Sequence, residues 1–242
     1  MMAGFVDAVV GGGGLVQIPA LFSAFPHSLP ATLFGTNKLA SIVGTSSAAV
    51  QYARRVAIPW RVAAPAAIAA LIGSWFGAGA VAYLSPVVLK PVILVLLVLV
   101  AVYTFMRKDF GANPGRGAPV RPVAAAVLIG GGIGFYDGFF GPGTGSFLIF
   151  LFVRFLAMDF LKASVVAKIV NVATNLAAIA FFTLNVTLLW KAAAVMAGCN
   201  LAGALVGSRL ALRHGAGFVR VMFLCVVSAL IAKMSFDLVV AP

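Results

Sequence analysis

Apolar runs of about 20 residues recur from one end of this chain to the other. A helix of that length spans the hydrocarbon core of a bilayer. Of the 242 residues, 63% are hydrophobic and 9% are charged, against about half and about a quarter in an average soluble domain. The sequence therefore predicts an all-α polytopic membrane protein and leaves no room for a soluble domain.

The net charge of +12 has two readings, a nucleic-acid surface or the loops of a membrane protein. The basic residues form no continuous stripe, and most lie in short gaps between apolar runs, which is the pattern of cytoplasmic loops. We therefore expect the lipid bilayer as a partner and no nucleic acid. Cys199 and Cys225 fall inside apolar runs, so we expect buried free thiols.

The two halves of the chain repeat each other at an offset of 130 residues. Gly4-Phe5-Val6-Asp7 reappears as Gly134-Phe135-Tyr136-Asp137. The same offset relates Gly11 and Gly13 to Gly141 and Gly143, Lys38 to Lys168, Trp60 to Trp190, and Gly73 and Gly77 to Gly203 and Gly207. Chance does not supply paired Asp, Lys and Trp, so we predict two repeats, 1–117 and 118–242. The second copy carries eleven residues, 123–133, where the first has three, and we expect a longer natural amino terminus.

Each repeat is predicted to contain one glycine-interrupted segment followed by three membrane spans. The interrupted segments are 4–25 and 123–153. The spans are predicted at 33–53, 62–84 and 87–106, and then at 163–183, 189–208 and 217–240.

The basic loop residues predict the topology. If each interrupted segment crosses the bilayer once, these residues divide almost equally between the two faces, against the positive-inside rule. If each segment enters and leaves by the same face, twelve of the 14 loop basic residues lie on one side, leaving Lys90 and Lys191. We therefore predict two inverted repeats, each with a Gly-broken re-entrant helical hairpin. Two full crossings per segment give the same parity, but about 14 residues per leg is short for a span.

Inverted repeats with broken helices are typical of secondary transporters, whose site lies at the midplane between the repeats. A helix start offers free N–H groups and a positive dipole end to an anion. The first predicted substrate-binding residues are therefore Gly11, Gly12, Gly13, Gly14, Gly141, Gly143, Thr144 and Gly145. The alternative for glycines is tight helix packing, which we expect of Gly73, Gly77, Gly203 and Gly207.

Two lysines inside predicted spans, Lys38 and Lys168, form a second candidate group, since a buried membrane charge costs at least about 2.5 kcal/mol and is functional by default. The polar residues predicted to bind substrate with them are Asn37, Asn171 and Asn175. Ser41, Thr45 and Thr174 lie nearby at helical spacing and are further candidate ligands of an oxyanion. The alternative is that each lysine neutralises Asp7 or Asp137, giving two structural ion pairs, and both roles are compatible.

Asp7 and Asp137 either carry a coupling proton or fix the glycine loops. Gln17 and Asn200 are polar within apolar segments, as ligands or as links between helices. Lys233 and Asp237 are expected to form a local pair. No metal site, cofactor or catalytic group is predicted.

The motif Gly4-Phe5-Val6-Asp7-Ala8, Gly11–Gly14, Pro19 and Gly35-Thr36-Asn37-Lys38-Leu39-Ala40 resembles the TauE/SafE family, as do Arg54-Arg55 and Trp60. The resemblance covers essentially the whole chain. It implies a bacterial inner-membrane exporter of sulfite or of organosulfonates such as sulfoacetate. The family's glycine-rich turn corresponds to Gly11–Gly14 and Gly141–Gly145, and its Asn-Lys to Asn37-Lys38. In the second half Ala167 precedes Lys168 and Asn171 lies a turn later, so the two half-sites are unequal.

The function expected from these features is a secondary transporter, not an enzyme, that exports a small sulfur-containing anion across the bacterial cytoplasmic membrane. Protons are a candidate coupling ion. The sequence does not decide whether the protein forms a homo-oligomer. An anion channel or uniporter is the main alternative. An intramembrane aspartyl enzyme built on Asp7 and Asp137 is a weaker one, because each carboxylate has a lysine to neutralise it and the glycine runs would be unexplained.

Overall fold

The computed structural model describes residues 1–84 and 121–214. Eight helices and no strands lie within these residues, so the all-α prediction is confirmed for this part of the chain. The first four helices are α1 (Met2–Val10), α2 (Gly14–Ala24), α3 (Pro30–Ala53) and α4 (Trp60–Tyr83). The others are α5 (Pro122–Phe139), α6 (Thr144–Leu156), α7 (Phe160–Asn185) and α8 (Trp190–His214). The predicted spans 87–106 and 217–240, Lys233, Asp237 and Cys225 lie outside the described residues.

Local sequence signals fix where several helices begin. Pro30 and Pro122 open α3 and α5, where proline's missing N–H would have no helical partner anyway. Asp159 caps α7, because its carboxylate accepts the Lys162 backbone N–H at 2.9 Å. Trp60 and Trp190 begin α4 and α8 and are exposed, as residues at a membrane interface would be.

Four helices in the described ranges are long and apolar enough to cross a membrane: α4, α5, α7 and α8. Helix α3 has 24 residues but is more polar, and its polar residues face the protein interior. Thr36, Lys38 and Thr45 are all buried. Such side chains are tolerated at membrane depth when other helices cover them. Helix α3 packs against the largely buried α7, and these two helices form the centre of the bundle.

The expectation of about 14 residues per hairpin leg is wrong for α5. That helix has 18 residues and qualifies as a candidate membrane span, because residues 123–133 join the Gly-Phe-Tyr-Asp motif in one continuous helix. Helices α1, α2 and α6 have 9, 11 and 13 residues. Of the four helices beside the glycine breaks, only these three are too short to span a bilayer.

Helices α4 and α5 pack through positions without side chains. A Cβ atom added to Gly134 would lie 2.5 Å from Ala70 Cα, well inside van der Waals contact. A Cβ atom on Gly73 would lie 2.9 Å from Phe135 N, and one on Gly77 would approach α5 as closely. The packing role predicted for Gly73 and Gly77 is confirmed.

The equivalent contacts recur between α1 and α8. A Cβ atom on Gly203 would lie 2.7 Å from Phe5 N, and one on Gly4 would lie 2.6 Å from Asn200 Cα. Gly207 faces Phe5 in the same way, so the packing predictions for Gly203 and Gly207 are also confirmed. Each half therefore supplies a helix for the other half to pack on. Cys199, on α8, is exposed, so the expectation of a buried thiol is wrong.

Two apolar clusters lie at opposite ends of the bundle. The first joins the beginnings of α4, α5 and α7 to α6 and to the end of α3, through Ala63, Ala126, Ala163, Phe152 and Tyr52. The second joins the ends of α4, α5 and α7 to α2 and to the beginning of α3, through Ala78, Phe140, Phe182, Ile18 and Phe34. Helix α6 therefore returns toward the end from which α5 started, and α2 lies at the opposite end.

Candidate functional site

The two glycine breaks meet in the middle of the protein. Gly11 and Gly141 have φ values of 74° and 94°, which glycine adopts without strain. The Gly145 backbone N–H donates to Gly11 O at 3.2 Å. A Cβ atom on either Gly11 or Gly145 would lie 2.5 Å from the Cα of the other. The chains thus cross in backbone contact, which requires glycine at both positions.

Side chains hold the second break, between α5 and α6. The Tyr136 hydroxyl donates to Pro142 O at 2.6 Å. The Thr144 hydroxyl oxygen lies 2.7 Å from Asp137 Oδ1 and 2.7 Å from Gly141 O. A hydroxyl group has one proton, so Thr144 donates to only one of these oxygens at a time.

The Lys38 ammonium contacts the Asp137 carboxylate at 2.7 Å, with side-chain exposures of 4% and 2%. Lys38 lies on α3 in the first half, and Asp137 lies on α5 in the second. The alternative that each lysine neutralises Asp7 or Asp137 is therefore confirmed for Lys38, and its partner is the aspartate of the other half. A buried ion pair is expensive to break, because removing one partner leaves an uncompensated charge.

The related lysine makes a different contact. Lys168 is buried and donates from Nζ to the backbone oxygen of Asp7. The Asp7 carboxylate accepts the Thr45 hydroxyl at 2.8 Å. Both lysines thus reach across to the other half, but Lys38 faces a carboxylate and Lys168 a carbonyl.

A small polar cavity lies beside the crossing of the two breaks. Its lining residues are Asp7, Gly11, Gly14, Asn37, Lys38, Ser41, Thr45, Asp137, Gly141, Asn171 and Asn175. All are glycine, polar or charged. The cavity volume is about 20 Å³, enough for one water molecule. A larger solute enters only if the surrounding helices move apart.

The structure brings some predicted binding residues to this cavity and leaves others outside it. Those that line it are Gly11, Gly14, Asn37, Lys38, Gly141, Asn171 and Asn175, with both aspartates, Asp7 and Asp137. Those outside the lining are Gly12, Gly13, Gly143, Thr144, Gly145 and Lys168. Ser41 and Thr45, which the sequence offered as further candidate ligands of an oxyanion, also line the cavity. Their signal was the spacing of three and seven residues after Lys38, which puts all three on one helix face.

Asn37 presents an unsatisfied polar atom. Its side chain is 5% exposed, and its Oδ1 has no hydrogen-bond partner among the described residues. Buried polar atoms are normally paired. Rotation of the amide group presents either oxygen or nitrogen to a ligand. Asn37 therefore adds a free hydrogen-bonding group to the cavity.

Gln17 and Asn200 link helices. Gln17 Nε2 donates to Asn200 Oδ1 at 2.6 Å, and the Ser41 hydroxyl donates to Gln17 Oε1 at 3.1 Å. Asn200 Nδ2 donates to Ala40 O at 3.0 Å. Of the two roles considered for Gln17 and Asn200, these bonds favour the link between α2, α3 and α8.

Apolar helices around a buried, charged centre define a helical membrane protein with a polar site between two broken segments. The family profile described as "Sulfite exporter TauE/SafE" matches residues 1–234. The chain belongs to the TauE/SafE family, which confirms the resemblance seen in its motifs.

The relatives of this chain carry transporter names. It is 34% identical over 237 residues to "Probable membrane transporter protein YfcA" of Escherichia coli (strain K12), covering 98% of this chain and 87% of the relative. It is 35% identical to "Probable membrane transporter protein ORF9" of Sinorhizobium sp, covering 98% and 89%. It is 33% identical to a "Probable membrane transporter protein" of Haemophilus influenzae, covering 98% and 91%. No solved structure matches this chain. Family and relatives together indicate a membrane transporter.

Proposed function

We propose that this protein is a secondary transporter that exports a small sulfur-containing oxyanion, with sulfite as the first candidate, across the bacterial cytoplasmic membrane. One observation carries the proposal: Lys38 and Asn37 of the first half and the glycine break of the second half line the same buried polar cavity. The sulfur chemistry and the outward direction rest on the description of the family. The proposed partners are the anion, protons and the lipid bilayer.

The proposed architecture is a pair of inverted repeats, 1–117 and 118–242, each with a re-entrant hairpin. The apolar clusters support it, because α6 packs beside the beginning of α5 and a chain entering along α5 thus returns along α6. Helix α2 packs beside the beginning of α3, at the other end. The equivalent glycine contacts of α4 with α5 and of α8 with α1 are those that a two-fold relation would produce.

The cavity suits an anion because several sources of positive potential surround it. Helix α2 begins at Gly14, which lines the cavity, so the positive end of its dipole lies close by. Lys38 can supply a full positive charge once it separates from Asp137. The amide groups of Asn37, Asn171 and Asn175 can donate hydrogen bonds to oxygen atoms.

The polar lining favours a small inorganic oxyanion over an organosulfonate. A carbon chain placed against Ser41, Thr45 and the asparagines would leave their polar groups unpaired, which costs about 1–3 kcal/mol for each buried group. The volume of about 20 Å³ corresponds to a closed state. Movement of one half against the other, as in alternating access, would widen it.

The alternatives fit this geometry less well. A channel needs a continuous path, whereas the cavity has space for about one water molecule. An aspartyl enzyme needs two carboxylates sharing a proton. In the described part of the chain, Asp137 contacts Lys38 and Asp7 accepts from Thr45, so each carboxylate is engaged with another group.

Flux measurements in proteoliposomes test the proposal, with sulfite and sulfoacetate as probes and with imposed voltage and internal pH followed together. We expect saturable sulfite flux, slower sulfoacetate flux, and loss of both in Lys38→Gln. Lys162→Gln is the matched control, because Lys162 is half-exposed and pairs with Asp159 outside the cavity. Absence of flux for both anions refutes the substrate class. Flux that does not saturate indicates a channel.

A further inference from the structure

Neither buried lysine of the described helices is free to receive an entering anion. Lys38 is held by Asp137 at 2.7 Å, and Lys168 is held by the carbonyl of Asp7. Among the described residues, two lysines and two aspartates meet at this centre, and their formal charges cancel. An added anion would therefore leave an excess of negative charge in a buried place, which proteins avoid by pairing or neutralising the group.

We propose that Lys38 changes its counter-ion during transport, and that Asp137 takes up one proton when it is released. The substrate oxyanion takes the Lys38 ammonium, which stays protonated. A proton from the aqueous side binds Asp137 Oδ1, the oxygen that faces Thr144, once Lys38 has left Oδ2. No bond of the substrate breaks, and one proton accompanies each anion bound. The anion itself is that of the proposed function, on which this inference rests.

Within residues 1–84 and 121–214, no second cation contacts Asp137 once Lys38 leaves. The groups that face it are Lys38 from α3 and Thr144 from the start of α6. Of the other charged groups at this centre, Lys168 on α7 is engaged with Asp7 of α1, and Asp7 is itself negative. An uncompensated buried carboxylate is strongly destabilising, so neutralisation by a proton is the route that this geometry leaves.

Thr144 can hydrogen-bond to both the ionised and the protonated form of Asp137 without a shift of its oxygen atom. Its hydroxyl oxygen lies 2.7 Å from Asp137 Oδ1 and from Gly141 O. When Asp137 is ionised, Thr144 donates to the carboxylate. When Asp137 is protonated, the acid can donate to the Thr144 oxygen while Thr144 donates to Gly141 O. The hydroxyl reverses its role by rotation about one bond.

The first half lacks this arrangement. The position that corresponds to Thr144 is Gly14, which has no hydroxyl, and the Asp7 carboxylate accepts from Thr45 on α3. Lys168 contacts the Asp7 backbone, so an anion that drew Lys168 away would leave the Asp7 carboxylate bonded as before. The inference therefore assigns the proton to Asp137 and a fixed role to Asp7.

The test measures sulfite binding to the purified full-length protein by calorimetry, in two buffers that differ in ionisation enthalpy, across a range of pH. Comparison of variants cancels the titration of sulfite itself. Wild type should take up one more proton per sulfite than Asp137→Asn. As the pH rises, the apparent affinity of the wild type for sulfite should fall more steeply than that of Asp137→Asn. The difference should be up to tenfold per pH unit, as linkage of one proton requires. Asp137→Asn should bind sulfite at least tenfold more tightly, because it no longer competes for Lys38.

Three further variants make the result specific. Asp7→Asn should keep the extra proton of the wild type, because Asp7 does not release Lys38. Asp159→Asn, outside the cavity, should match the wild type in proton uptake. Thr144→Val keeps the carboxylate but removes the reversible hydroxyl, and should lower the number of protons taken up. It keeps the inference testable if Asp137→Asn does not fold.

Each outcome decides one of the two proposals. Equal proton uptake by wild type and Asp137→Asn, or weaker sulfite binding by Asp137→Asn, overturns the exchange of counter-ion and leaves the transporter proposal standing. If Asp137→Asn does not fold, equal uptake by wild type and Thr144→Val overturns the exchange in the same way. Failure of both wild type and Asp137→Asn to bind sulfite overturns the proposed substrate, and the exchange falls with it.

Discussion

Alanine at Gly134 should loosen the contact between α4 and α5. The new Cβ atom would lie 2.5 Å from Ala70 Cα, whereas carbon atoms pack at about 3.5–4.0 Å. The obstacle is the backbone of a helix, so no side-chain rotation relieves it, and the helices must separate by about 1 Å. Overpacking of this kind costs about 1–3 kcal/mol.

Gly132 provides the matched control, two residues earlier on the same helix. A Cβ atom at Gly132 would meet no atom within 4 Å. Gly132→Ala should therefore stabilise α5 by up to about 1 kcal/mol, the ordinary difference in helix propensity. The two variants should differ by about 2 kcal/mol or more in the free energy of unfolding.

Unfolding in mixed detergent micelles, followed by tryptophan fluorescence as the denaturing detergent is raised, measures this difference. Equal midpoints for the two variants would refute the packing of α4 on α5. The contact between α1 and α8 gives an independent pair of variants, Gly4→Ala and Gly198→Ala. A Cβ atom at Gly4 would lie 2.6 Å from Asn200 Cα, while one at Gly198 would meet nothing within 4 Å. Gly4→Ala should be the less stable of that pair.

Further predictions concern the charged residues. Lys38→Gln should lower the free energy of unfolding by about 3–5 kcal/mol, because Asp137 is left unpaired. Adding Asp137→Asn should restore most of that stability but no sulfite flux. Restored flux in the double variant would exclude Lys38 from substrate binding. Lys168→Gln loses a hydrogen bond to a carbonyl, worth about 1.5–3 kcal/mol, and should weaken sulfite binding less than Lys38→Gln does in the same titration. Burial raises the pKa of Asp159, but its hydrogen bonds with Lys162 and the charge of that lysine outweigh burial and hold the pKa below its ordinary value. Its stabilisation of α7 is therefore present at neutral pH and lost as the pH falls through that lowered pKa, so Asp159→Ala should cost about 1 kcal/mol near neutrality and much less in acid, as unfolding midpoints against pH will show.

The sequence was sufficient to predict that the glycine breaks and Lys38 lie at one centre. Both signals are long-range: an offset of 130 residues relates the halves, and a charge inside an apolar run must be covered by protein. The same sequence could not predict which aspartate Lys38 contacts. That choice depends on how the two halves interlock in space, and each lysine has an aspartate both in its own half and across.

The difference between Lys38 and Lys168 was only partly visible in the sequence. The change from Asn37 to Ala167 beside the lysine indicated unequal half-sites, but it did not indicate that Lys168 would donate to a carbonyl. The length of α5 was missed for another reason. Residues 123–133 contain three glycines, and the motif that follows begins with a fourth, Gly134. Glycine weakens an isolated helix, but in the structure residues 122–139 form one continuous helix that packs against α4.

The contact between α1 and α8 constrains the order in which the protein can fold during synthesis. Gly4 makes its closest helix contact with Asn200, and Gly203 packs on Phe5, near the far end of the described chain. At a synthesis rate of roughly 5–20 residues per second, the segment that carries Asp7 waits on the order of ten seconds or more before its partner emerges. For most of that interval, until Lys168 has been synthesised, Asp7 also lacks its lysine partner. The amino-terminal segment is therefore a natural client for an insertion factor or chaperone that shelters it until the last helices arrive.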